Sequence, residues 1–61
     1  MTLYKFTLKY SNDRTEYYFK FCKYPKKTKL YKQCMDMLNN DKLHRFSYGQ
    51  TDLIKEIITK A

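Results

Sequence analysis

Residues 3–10 read Leu3-Tyr4-Lys5-Phe6-Thr7-Leu8-Lys9-Tyr10 and alternate between two kinds of side chain. The even-numbered positions are large and mainly aromatic, and the odd-numbered positions carry two lysines and a threonine. An alternation with a period of two is typical of a β-strand that buries one of its faces. The sequence therefore predicts a strand here, with its aromatic face turned towards the core and its lysines turned towards solvent.

A second alternating run, Glu16–Tyr24, follows the polar segment Ser11-Asn12-Asp13-Arg14, which has the composition of a tight turn. A two-residue loop at Asn12-Asp13 would bring four pairs of residues face to face: Leu8 with Tyr17, Phe6 with Phe19, Tyr4 with Phe21, and Lys9 with Glu16. This one register matches the aromatic pairs and a charge pair together, so we predict an antiparallel hairpin with this register.

A helix is predicted after the hairpin. Pro25 cannot donate a hydrogen bond to a neighbouring strand and ends the second run. Thr28 is a good N-cap residue, and a stripe of apolar residues at helical spacing continues to about Asn39. The stripe consists of Leu30, Tyr31, Cys34, Met37 and Leu38.

The C-terminal third is less uniform. His44, Phe46 and Tyr48 alternate with their neighbours, a pattern that a short third strand and a packed loop share. From Thr51, a capping residue and Asp52 precede the stripe Leu53, Ile54, Ile57, Ile58 and Ala61, whose spacing predicts a second helix. The expected fold class is therefore α+β: a single domain over residues 1–61 in the order ββα(β)α, a two-layer structure in which two helices cover the aromatic face of the hairpin.

Composition narrows the function classes. Thirteen Lys and Arg against six Asp and Glu give a formal charge of +7, which favours polyanionic partners such as nucleic acid or an acidic protein surface. The N-terminus leads directly into the strand pattern and no apolar run has membrane-spanning length, so we predict no signal peptide, no membrane partner and a cytoplasmic location. Abundant Lys, Tyr, Asn and Ile are typical of small phage or mobile-element proteins, for which that location is the host cell.

The candidate binding surface has two parts. The hairpin face turned away from the helices should carry lysines beside an exposed ring, which is how proteins bind single-stranded nucleic acid. Lysines around the start of the first helix could bind a phosphate together with free backbone N–H groups and the Thr28 hydroxyl. The nucleic-acid-binding or anion-binding residues predicted in this way are Lys5, Lys9, Tyr18, Lys20, Lys23, Tyr24, Lys26, Lys27, Lys29 and Lys32.

Metal binding and catalysis have little support in the sequence. Cys22, Cys34 and His44 have no zinc-site spacing and lack a fourth ligand, so we expect free thiols, no metal and no cofactor. His44, Arg45 and Tyr48 supply the residue types of a small ribonuclease, but no spacing singles them out. No catalytic residue is assigned.

The sequence thus favours a small non-enzymatic protein that binds nucleic acid, or a complex that handles it, and acts stoichiometrically as a regulator or inhibitor. The alternative is an inhibitor that docks its basic face on an acidic groove of a host protein, with a ribonuclease-type toxin as a third reading. A homodimer that pairs through the free edge of the first strand is a further expectation, because a two-stranded hairpin alone is marginally stable.

Overall fold

The computed structural model describes residues 1–50 and 53–59. It is an antiparallel sheet of four strands with one α-helix packed on one face. The strands lie in the order β2-β1-β3-β4. Their bounds, with those of the helix, are β1 Thr2–Tyr10, β2 Thr15–Cys22, α1 Lys29–Asn39, β3 Leu43–Gln50 and β4 Glu56–Thr59. The predicted ββα(β)α fold with two helices is therefore wrong, since the described chain has one α-helix, a 3₁₀ turn at Pro25–Lys27 and a fourth strand.

The core lies between α1 and the central strands. Phe6 and Phe46 are fully buried on neighbouring strands, and the ring of Tyr31 from α1 meets that of Phe46 edge-on, with centroids 5.5 Å apart. The other members of the core cluster are Tyr4, Leu8, Cys22, Cys34, Leu38, Leu43 and Tyr48. The even-numbered face of β1 is thus buried, as the alternation predicts.

The hairpin forms, but the predicted register is wrong by one residue. Leu8 lies opposite Glu16, Phe6 opposite Tyr18 and Tyr4 opposite Lys20. The cause is the loop: Asp13 has a φ of 68°, and the N–H of Tyr10 donates to the carbonyl of Arg14 across a three-residue connection, Ser11–Asp13. A two-residue hairpin loop of type I′ needs positive φ at both central residues, and Asn12 does not have it.

The one-residue shift exchanges the two faces of β2. Tyr17, Phe19 and Phe21 now point away from α1, on the same side of the sheet as Lys5 and Lys9. Residues 16, 18, 20 and 22 take the helix side. The predicted burial of the β2 aromatic residues beneath helices is therefore wrong.

The sequence pattern of residues 43–48 fits either a short third strand or a packed loop, and the structure has a strand there, β3. It pairs antiparallel with β1, placing Phe46 opposite Leu8 and Tyr48 opposite Phe6. A register shift between Lys9 and Tyr10 leaves His44 exposed.

The predicted C-terminal helix is wrong: residues 56–59 form β4, which pairs with β3 and places Ile58 opposite Phe46 and Ile57 opposite Ser47. Two consecutive isoleucines fit either period, and β-branched residues favour a strand once β3 offers an unpaired edge. Ile58 contacts the core, whereas Ile57 faces the opposite side of the sheet. The predicted capping residues Thr51 and Asp52, and the end of the stripe at Ala61, lie outside the described residues.

The central position of β1 bears on assembly. β1 has β2 on one side and β3 on the other from Tyr4 to Lys9, so the expected homodimer contact through its edge is closed. The outer edges of the sheet belong to β2 and β4.

In residues 1–50 and 53–59, no helix combines the length and apolar character that a bilayer span needs, and α1 has eleven residues.

The start of α1 is as predicted. The side chain of Thr28 accepts a hydrogen bond from the N–H of Tyr31 at 3.2 Å and donates one to the carbonyl of Pro25 at 2.7 Å.

We expect Thr28→Ala to lower the free energy of unfolding by about 1 kcal/mol, which is a fall in Tm of about 4–8 °C for a domain of this size. Thermal unfolding followed by circular dichroism measures it. Gln33→Ala, at an exposed position of the same helix, is the control and should leave Tm nearly unchanged; an equal loss in both variants would contradict the cap.

Candidate functional site

The face of the sheet opposite α1, here called the open face, has no helix over it among the described residues. The pairing registers define its members. They are Leu3, Lys5, Thr7 and Lys9 of β1; Thr15, Tyr17, Phe19 and Phe21 of β2; Arg45, Ser47 and Gly49 of β3; and Ile57 and Thr59 of β4. The open face therefore combines apolar and cationic side chains.

Three aromatic rings form a row along β2 on the open face. Tyr17 is 57%, Phe19 60% and Phe21 65% exposed. Isolated exposed apolar side chains are common, but a contiguous row of rings on one face marks an interaction surface. Consecutive rings of the row are two residues apart in the strand, which separates their Cα atoms by roughly 6.6 Å.

Cations lie beside this row. The Nζ of Lys5 is 4.7 Å from the centroid of the Tyr17 ring, a cation–π contact. Lys9 and Arg45 lie directly opposite each other on β1 and β3. The two carboxylates carried by the strands, Glu16 and Glu56, occupy positions on the helix side. The strand positions of the open face therefore carry only positive charge.

Residues 53–55 pack against β3 and form a wall on the open face. The N–H of Leu53 donates to the carbonyl of Gln50, and the N–H of Lys55 to the carbonyl of Tyr48, both at 2.8 Å. Leu53 and Ile54 then lie against Gly49, where a Cβ would be 2.8 Å from the Cα of Ile54. Two shallow cavities of about 300 Å³ each lie on the open face, and Thr7, Ser47 and Ile54 line both of them.

The residues predicted to bind nucleic acid or an anionic partner do not share one surface. Lys5 and Lys9 lie on the open face, whereas Tyr18 and Lys20 point to the helix side of β2. The predicted register also implies that Lys5 lies opposite Lys20; this is wrong, because Lys5 lies opposite Phe19. The other predicted positions follow β2 or belong to α1: Lys23, Tyr24, Lys26, Lys27, Lys29 and Lys32. Their part in binding stays a prediction.

Around the start of α1, the lysines are arranged about one ring. The Nζ atoms of Lys23 and Lys27 are 5.6 Å and 5.1 Å from the centroid of Tyr24, and Lys26 pairs with Glu56 at 3.4 Å. The Thr28 hydroxyl donates a hydrogen bond to the Pro25 carbonyl. A phosphate at this helix terminus would therefore lack the hydroxyl donor that the sequence offers.

On the helix side of the sheet, the carboxylates of Glu16 and Glu56 accept hydrogen bonds from tyrosine hydroxyls. Burial, and then hydrogen bonding to Glu16, raise the pKa of Tyr10 to about 12, and the same Tyr10 bond is the main cause that lowers the pKa of Glu16. Burial, and then hydrogen bonding to Glu56, raise the pKa of Tyr48 to about 12; its hydroxyl donates to Glu56 Oε1 at 3.0 Å. These contacts fix side chains away from the open face.

The expected free thiols are present. Cys22 and Cys34 are both buried and unbridged, and burial raises the pKa of the Cys34 thiol to about 11. In the described part of the chain, no group of three or more potential ligands could hold a metal ion. His44 is exposed, and Arg45 and Tyr48 project from opposite faces of β3, so the ribonuclease set does not converge.

Sequence reasoning missed the main members of the site: Tyr17, Phe19, Phe21, Arg45, Ile54 and Ile57. The alternation in β2 does place the three rings on one side of that strand. Only the length of the hairpin loop decides which side of the sheet it is.

Comparisons with known proteins add no further information. No family model, no curated protein and no solved structure matches this chain. The fold and the site define a small four-stranded antiparallel sheet with a helix on one face and an aromatic, cationic surface on the other.

Proposed function

We propose that this protein binds single-stranded nucleic acid on its open face, with bases stacked on the β2 rings and phosphates held by the cations beside them. One observation carries the proposal: the exposed row Tyr17, Phe19 and Phe21 lies next to Lys5 on a face whose strand positions hold no carboxylate. Stacking platforms flanked by positive charge bind single strands with little dependence on sequence.

Ring spacing favours a single strand over a duplex. Rings on alternate strand residues are separated by roughly 6.6 Å, about twice the 3.4 Å rise between bases stacked in a helix. Consecutive bases can each meet a ring only if they leave the stack, which a duplex resists. Unpaired bases can be splayed out on aromatic side chains at lower cost.

The remaining positive charge supports the encounter. With a net charge of +7 on 61 residues, the whole chain attracts a polyanion, and the lysines around Tyr24 extend that field beyond the open face. Binding of this kind is stoichiometric. It suits a regulator or inhibitor that occupies a single strand and excludes other proteins from it.

A salt titration of binding tests the proposal. We expect a labelled single strand to bind more tightly than a duplex of the same length, with log affinity falling linearly against log salt concentration. The slope should be about −2 or steeper, because the described strands place three cations on the open face and each phosphate neutralised on a single strand contributes about −0.7. Arg45→Gln should make the slope shallower by about 0.7. Fluorescence anisotropy measures both quantities, and a gel checks that the strand stays intact.

Lys20→Gln is the matched control, since it removes one charge from the opposite face of β2 and should change the slope less than Arg45→Gln does. Equal binding of single strand and duplex, with equal slopes in both variants, would overturn the assignment to the open face. Absence of binding at physiological salt would favour the alternative, an inhibitor whose basic face docks on an acidic protein groove.

A further inference from the structure

We infer that one end of the open face is a site for a phosphate monoester, so that the protein recognises the phosphorylated terminus of a single strand. This inference rests on the proposed function and adds a specificity to it. The site is the cavity of about 310 Å³ lined by Lys9 and Arg45, by three hydroxyl-bearing residues and by two isoleucines. The hydroxyls are those of Thr7, Thr15 and Ser47, and the isoleucines are Ile54 and Ile57.

The charge pair gives the first argument. Lys9 and Arg45 are direct cross-strand partners on the open face, and like charges in that position destabilise a sheet. Neither forms an ion pair with any residue in the described ranges, where the pairs are Arg14–Glu16 and Lys26–Glu56. A bound anion would turn this repulsion into an attraction for both side chains.

The hydroxyls give the second argument. Thr7, Thr15 and Ser47 line the same cavity as the two cations, and within residues 1–50 and 53–59 their hydroxyls form no hydrogen bond to another residue. Three free hydroxyl donors, a planar guanidinium and an ammonium match the three terminal oxygens of a phosphate group. An internal phosphodiester presents only two such oxygens.

Charge and surroundings favour the monoester further. A monoester carries a charge of about −1.5 to −2 near neutral pH, which balances the two cations, whereas a diester carries a single negative charge. Ile54 and Ile57 give one side of the cavity an apolar lining.

The position of the site also fits a strand terminus. Thr15 begins β2 at this end, and Tyr17, Phe19 and Phe21 follow it along the strand. A terminal phosphate held by Lys9 and Arg45 would bring the first base to Tyr17 and later bases to the next rings. The site would therefore set the register of the bound strand.

The experiment compares three oligonucleotides of one sequence: one with a 5′-phosphate, one with a 3′-phosphate and one with hydroxyls at both ends. We expect one of the phosphorylated strands to bind about tenfold or more tightly than the unphosphorylated strand, and which of them it is identifies the recognised end. Arg45→Gln should reduce this ratio to near one. Arg45→Lys keeps the positive charge and loses the planar guanidinium, so it should retain part of the affinity ratio between phosphorylated and unphosphorylated strands. It replaces Arg45→Gln in the experiment if that variant does not fold.

Lys5→Gln is the control, because Lys5 is an open-face cation that does not line this cavity. It should weaken binding of all three strands by a similar factor and leave the ratio unchanged. Equal affinity for the three strands, while Phe19→Ala still weakens each of them, would overturn the monoester site and leave the proposed function standing. Failure of all three strands to bind would overturn both.

Discussion

Phe19→Ala combined with Phe21→Ala is expected to weaken binding of a single strand about thirtyfold or more, with little change in Tm. Each stacked base is worth about 1–3 kcal/mol by alanine substitution, so two lost platforms cost at least about 2 kcal/mol. The fold should survive because the two rings are 60% and 65% exposed and contribute little to the core. Anisotropy titration at fixed salt measures the binding, and circular dichroism measures the fold.

A pair of adjacent tyrosines gives a matched control for the same row. Tyr17 and Tyr18 are the same residue type on the same strand, 57% and 40% exposed, but they point to opposite faces. Tyr17→Ala should weaken binding by a factor that one stacked base explains, and Tyr18→Ala should leave it within about twofold. An equal loss in both variants would show that the bound strand does not lie on the open face.

Gly49→Ala is expected to have the largest effect on stability. A Cβ at position 49 would overlap the carbonyl oxygen of Leu53 and lie 2.6 Å from its carbonyl carbon. These are backbone atoms, so the backbone of Leu53 and Ile54 would have to move. Gly49 itself does not have positive φ, so the cost is steric. We expect a loss of about 3 kcal/mol or more, at the upper end of overpacking effects, and a fall in Tm of more than about 12 °C.

Ser47→Ala is the control for Gly49→Ala, because Ser47 lies on the same strand and the same face and the change adds no atom. It should change Tm little. Amide hydrogen exchange would show that the Gly49→Ala variant loses protection first in residues 56–59. A Gly49→Ala protein with unchanged Tm and protected β4 amides would contradict the close approach of Leu53.

The exposed apolar side chains of the open face lower the solubility of the protein. Exposed rings and isoleucines on one face of a small sheet are an aggregation hazard, and the eight-residue edge strand β2 adds unpaired backbone groups. The high positive charge opposes self-association by repulsion. A surface kept in spite of that hazard is consistent with a binding role.

The sequence by itself determined the local elements that depend on neighbouring residues. The alternation in residues 3–10 predicts β1 and its buried face, and Pro25 and Thr28 predict where α1 begins. Each of these follows from side-chain periodicity or from a cap within one turn, and such signals need no distant contact. The free thiols also agree with the sequence, and Cys34 lies on the predicted apolar stripe of α1, but the burial of Cys22 depends on the register of β2.

Tertiary structure alone decided three things: the register of β2, the state of residues 56–59 and the composition of the open face. A single added loop residue at Ser11–Asp13 moves Tyr17, Phe19 and Phe21 to the other side of the sheet, because side chains alternate with a period of two. The pair Ile57-Ile58 fits a helix or a strand, and only the unpaired edge of β3 selects the strand. The juxtaposition of Lys9 and Arg45 depends on pairing between residues distant in sequence, which no local pattern encodes.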